Sequence, residues 1–110
     1  MIEIIQKSRE LTKREEFKAT KTQSPILIKD IEDGTKITPA YWVVYTDIEK
    51  DTEVLAIVDV DGNVYTTIST TFKNNFLDMA NIFAGEEYSL KKISGTTKAG
   101  RPFVNCDLAD

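Results

Sequence analysis

Apolar and polar positions are spaced differently in the two parts of this chain. In residues 2–21 the apolar side chains Ile2, Ile4, Ile5, Leu11 and Phe17 are too sparse to form a strong stripe. The helix formers Glu15, Glu16 and Lys18 lie among them, and Thr12 stands three residues before Glu15, as in a capping box. This stretch reads as a helical or extended arm. Thr20-Lys-Thr-Gln-Ser-Pro25 follows as a linker by composition. The expected division is an arm at 1–24 and a folded domain at 25–110.

From Ile26 the pattern turns to β. Ile26–Ile31 is a short extended run and Glu32-Asp33-Gly34 a turn. Lys36–Asp47 carries Tyr41-Trp-Val-Val-Tyr-Thr46, dense in aromatic and β-branched residues, with Pro39 near its start. Val54–Val60 is a second strand and Asn63–Ser69 a third, joined by Asp61-Gly62, a strong hairpin signal. The third strand alternates, and its Tyr65, Thr67, Ser69 side is expected to face solvent. The period then changes. Phe72, Phe76, Met79, Ile82 and Phe83 recur on one helical face, with Thr70 or Thr71 as N-cap and Gly85 as C-terminal cap. Tyr88–Ile93 and Phe103–Leu108 complete the strands.

Three strands, a helix and two strands is the order of the five-stranded Greek-key barrel of the oligonucleotide-binding (OB) type, whose helix lies between strands 3 and 4. The expected fold is therefore mainly β, an OB-type barrel preceded by the arm. A generic α+β sandwich is the competing architecture.

Composition narrows the chemistry. The 110 residues include no histidine and one cysteine, Cys106. Ser-His and Cys-His catalysis are thereby excluded, and a zinc site would need a rare all-carboxylate shell. Asp59-x-Asp61-x-Asn63 opens like a calcium loop, but Val64 and Thr70 stand where that loop needs Gly and Glu. Adjacent acids such as Glu86-Glu87 have no nucleophile or base to frame them. The expectation is a binding protein, not an enzyme, without cofactor or metal. The lone cysteine and the lack of a long apolar run point to a cytoplasmic protein with no membrane partner. Charged Glu3 and Lys7 at the N-terminus are unlike a secretory signal.

Net charge is −4, which alone argues against nucleic acid, but the charges are segregated. Lys and Arg gather in residues 1–21 and again in 88–106, where no acid occurs, while acids concentrate from Asp30 to Asp61. Two groups of residues become candidates for a nucleic-acid site. Aromatic rings on an OB face stack on bases, which nominates Trp42, Tyr45 and Tyr65, with Tyr65 favoured by its polar strand-mates. Tyr41 and Tyr45 share one face of their strand and Trp42 the other, so at most one of these faces meets ligand. The loop between the last two strands offers Lys92, Lys98 and Arg101 for phosphates, with Gly95 and Gly100 allowing close backbone approach, and Lys73 on the helix joins this basic set. The competing readings are core packing for the rings and an ordinary solvated hairpin for the loop.

Several segments also resemble a known family. Leu11-Thr-Lys-Arg-Glu, Tyr45-Thr-Asp47, Asp61-Gly-Asn-Val-Tyr65, Thr71-Phe72, Phe76-Leu-Asp78, Gly85-Glu-Glu87, Ile93-Ser-Gly95 and Lys98-x-Gly-Arg101 resemble small single-stranded DNA-binding proteins encoded by phages and mobile elements of Gram-positive bacteria. The pattern is scattered over nearly the whole chain. The resemblance implies an OB fold, a homo-oligomer, single-stranded DNA as ligand, and work beside replication or recombination proteins in the host cytoplasm. Asp107-Leu-Ala-Asp110 departs from the acidic, aromatic-tipped tail through which bacterial housekeeping single-strand binders recruit partners. The net negative charge and acidic middle leave an alternative: a protein-interaction module on a similar barrel that binds or inhibits a host protein.

Overall fold

A computed structural model describes residues 2–109 of the chain, so Asp110 of the short acidic tail lies outside the described residues. The elements are β1 (Ile2–Lys7), α1 (Lys13–Lys21), β2 (Ile26–Leu27), β3 (Lys36–Ile37), β4 (Pro39–Asp47), β5 (Thr52–Asp59), β6 (Val64–Thr67), α2 (Thr70–Ile82), β7 (Leu90–Thr96) and β8 (Pro102–Leu108). The architecture is mainly β, as expected. One sheet has five strands in the order β1-β4-β5-β6-β2, and a second has three, β3-β7-β8.

The segment expected as an arm packs onto the sheet. β1 pairs antiparallel with β4, Ile4 opposite Tyr45, with a bulge around Ile5. Such an edge strand buries only part of its side chains, so its apolar pattern is weak. α1 begins at the capping box foreseen in the sequence: Thr12 Oγ1 accepts from Glu15 N–H, and Glu15 Oε1 accepts from Thr12 N–H. Arg9 donates to both Glu15 carboxylate oxygens, at 3.1 and 2.9 Å. The Arg9 and Thr12 donors hold the Glu15 carboxyl down from its ordinary 4.5 to about 2. A depressed carboxyl stabilises the fold above its unfolded pKa and loses that contribution as pH falls through the folded one. Helix α1 is therefore expected to lose support between about pH 4.5 and pH 2. Glu15→Gln should flatten that part of the stability-versus-pH curve, measured by circular dichroism.

Strand β4 shows why the sheet is apolar on both faces. Trp42 and Val44 point into the main core with Leu55, Ile57 and Tyr65, beneath Phe72 and Phe76 of α2 and beside Leu90 and Cys106 of the second sheet. Tyr41 and Val43 point the other way, into a second core with Ala56, Val58, Val64 and Ala19 of α1. Tyr65 is thus 8% exposed, and the expectation that its side of β6 faces solvent is corrected. Both faces of β6 are covered, so alternation could not tell inside from outside.

Other expectations shift for similar reasons. The run at 26–31 stays extended only through Leu27, which pairs parallel with β6. It then enters a 3-10 turn over Ile28–Asp30 that places Ile28 in the core. Ser69, not Thr70 or Thr71, caps α2, its hydroxyl accepting from Phe72 N–H. Ile82 is 75% exposed and so leaves the expected buried face. Gly85 adopts a left-handed φ of +84° two residues beyond the Phe83 cap, where a side chain would be strained.

Chain direction changes at two devices. At Pro39, which has no N–H to give a ladder, the path passes from β3 in the small sheet to β4 in the large one, with an irregularity before Tyr41. Around Asp61-Gly62, the foreseen turn is tied by buried Asp59, whose Oδ1 accepts from Asp61 N–H and Asn63 N–H at 3.0 and 2.8 Å. Asp59→Ala leaves both donors without this acceptor and is expected to cost about 1–3 kcal/mol in urea unfolding. The two sheets are not closed into a barrel among the described residues. The outer edge of β6 is taken by β2, and β6 meets no strand of the small sheet through a ladder.

Candidate nucleic-acid interface

The most accessible of the expected cations stand at the tip of the β7–β8 hairpin. Arg101 N–H donates to Thr97 Oγ1, Thr97 N–H to Arg101 O at 2.9 Å, and Gly100 N–H to Thr97 O at 2.8 Å. Gly100 completes the turn at φ +83°. This closed loop leaves Lys98 and Arg101 pointing into solvent, and neither forms an ion pair with a described carboxylate. Gly95 has a different role from the one expected. A Cβ there would lie 2.7 Å from the Phe103 ring, so Gly95 makes room for a packed aromatic side chain on the neighbouring strand.

Lys92, also expected to hold phosphate, is a structural clamp. It is 5% exposed and its Nζ donates to Ile31 O at 2.6 Å and lies 3.2 Å from Asp33 Oδ1. Ser94 Oγ donates to the same Asp33 oxygen, and Gly34 N–H donates to Lys92 O. The 31–35 loop is thereby fastened to β7. The Ser94 and Lys92 donors hold the Asp33 carboxyl below the usual range. Lys73 is bonded to Glu53 of β5 and is mostly covered.

The expected aromatic platforms are removed by burial. Trp42 meets the Phe76 ring edge-on at 5.8 Å and 88°, and Tyr65 lies in the same core. Tyr45 is half-buried on the α1 face, opposite Ile4 and Val54 in register, and burial pushes its hydroxyl pKa up. Of the seven residues expected at the site, Lys98 and Arg101 share an exposed loop, and Trp42 and Tyr65 share the core. Tyr45, Lys73 and Lys92 are each held by different neighbours.

No family model, curated protein or solved structure matches the chain.

A cleft of about 580 Å³ opens between the β1–α1 corner and the end of α2. Arg9 lies over the Tyr41 ring there, its guanidinium carbon 5.3 Å from the centroid, while the Phe83 and Tyr88 rings stack at 5.3 Å. Glu86 and Glu87 also line it, together with the carbonyl end of α2, so the cleft mixes both signs of charge. The Cys106 thiol is buried, which pushes it up to about 12 and keeps it protonated. Among the described residues no cluster of His, Cys, Asp and Glu is placed to hold a metal, and no helix is long and apolar enough to cross a membrane.

Phe17, outside the expected site, is 67% exposed on α1 between Lys13 and Lys21. Its signal was present: a phenylalanine without apolar neighbours at helical spacing has nothing on its own helix to pack against.

Proposed function

We propose that this protein binds single-stranded DNA with little sequence preference, as an open OB-type barrel that supports replication or recombination. The observation that carries this reading is the β7–β8 hairpin, which holds Lys98 and Arg101 in solvent with no acid anywhere from residue 88 to 106. Strand order supports it. The β3–β4 path contributes to both sheets, β5 and β6 follow it in one, α2 intervenes, and β7 and β8 complete the other. This order is compatible with an OB-type barrel whose closing pairing is replaced by β2. In that fold, loops of this kind grip ligand beside the sheet face. Fold alone does not confer function; the charged loop supports this one, as does the likeness to phage-encoded single-strand binders.

Titration of labelled oligo-dT at two salt concentrations tests the proposal. Binding at low salt that weakens as salt rises is the expected result. No binding at low salt would sink it. Nuclease-resistant capture of a host protein, together with that failure, would favour the protein-interaction module instead. The homo-oligomer implied by the family resemblance is checked in the same preparation by light scattering.

A further inference from the structure

The single-strand reading needs rings for bases, and the fold has withdrawn Trp42 and Tyr65 into the core. Phe17, 67% exposed, is the one aromatic side chain among the described residues that lies mostly in solvent. Apolar ring surface left in water is unfavourable, and a stacked ligand would cover it. Its surroundings are specific. Lys13 lies one helical turn before it and Lys21 one turn after, on the same side of α1. Lys13, Arg14 and Lys21 make no ion pair with a described residue. Beside Phe17, between α1 and β1, is an open hollow of about 440 Å³ with Ile2 and Ile4 on its strand side. Of the acids, only Glu16 lines it among the described residues, against the two cations Lys13 and Lys21.

We propose that this face of α1 is a stacking platform for single-stranded nucleic acid, separate from the β7–β8 hairpin. One base lies on Phe17 above the Ile2–Ile4 hollow. Lys13 and Lys21 hold phosphates on either side, about 12 Å apart along the helix axis. The inference rests on the single-strand reading above and names where its bases stack. Charge decides the occupant. A second copy of the chain docked face to face would set these cations against their own kind. A membrane surface would need a broader apolar stripe than one exposed ring on a nine-residue helix. A polyanion with flat apolar rings satisfies both the lysines and the phenylalanine.

The test is oligo-dT binding by full-length variants. Phe17→Ala should weaken binding about tenfold at low salt, within the range for loss of one stacked base, with an unchanged melting temperature. Lys13→Gln with Lys21→Gln should flatten the salt slope by about 1.4. Phe17→Trp should keep affinity, and its indole fluorescence should be quenched on adding oligo-dT. If Phe17→Ala binds like wild type while hairpin variants are weakened, the platform falls and the single-strand reading stands. If wild type binds no oligo-dT, both fall. Should Phe17→Ala instead change the oligomeric mass by light scattering, or abolish binding to anionic vesicles, the platform is overturned in favour of a subunit contact or a lipid surface.

Discussion

Replacing Phe76 with alanine is expected to lower stability by about 3–5 kcal/mol. The ring is fully buried where α2 lies against the large sheet. It meets Trp42 edge-on at 5.8 Å and Tyr88 at 6.5 Å, so its removal strips packing from two other rings as well as opening a cavity. A domain of this size typically has about 5–15 kcal/mol in total, so the variant stands near the limit of folding. Urea unfolding followed by fluorescence of Trp42, the sole tryptophan, reports the loss directly. The midpoint should fall with an unchanged slope. The control is Ile82→Ala on the same helix. Ile82 is exposed, and its truncation should cost less than about 0.5 kcal/mol. A Phe76 variant as stable as the Ile82 variant would contradict the packing of α2 described above.

The second large effect concerns binding. Lys98→Gln with Arg101→Gln is expected to flatten the dependence of log K on log salt by about 1.4, at roughly 0.7 per phosphate contact on a single strand. Extrapolated from 1 M to 50 mM salt, that amounts to about eightfold per contact and about sixtyfold for the pair. Arg101→Ala alone should give about half the change in slope. Both side chains are exposed and outside the core, and the turn is held by Thr97 and by main-chain bonds, so the fold should be unaffected. Lys92→Gln is the informative contrast. It should lower stability by loosening the 31–35 loop and leave the salt slope alone, because its ammonium is already committed to Ile31 O and Asp33. An unchanged slope in the Lys98, Arg101 double variant would remove the hairpin from the interface.

The two sets of variants separate roles that look alike in the sequence. Lys92 and Lys98 are six residues apart in one basic stretch, yet one is a clamp and the other a free charge. The difference is set by Ile31 and Asp33, about sixty positions away. Tyr65 and Phe17 show the same reversal for aromatic residues. Tyr65 sits in a strand with polar alternation and is buried, whereas Phe17 sits in a charged helix and is exposed.

Local information determined a good deal. The strand through Tyr41–Thr46, the Asp61-Gly62 turn, the Thr12–Glu15 capping box and the helical stripe of Phe72, Phe76 and Met79 were all legible, because each depends on neighbours within a few residues. The mainly β class and the place of the helix between strands followed from their order. The absence of histidine excludes Ser-His and Cys-His catalysis from the sequence alone. What only the tertiary structure decided was which side of each element meets water. Covering the large sheet on both faces buried Trp42 and Tyr65, and pairing β1 with β4 turned an expected arm into a sheet edge. Placing β2 along β6 left the two sheets unclosed. Burial and pairing are contacts between distant segments. A side chain's propensity sets how it bends the backbone, but the segments packed against it set whether it is core, clamp or surface.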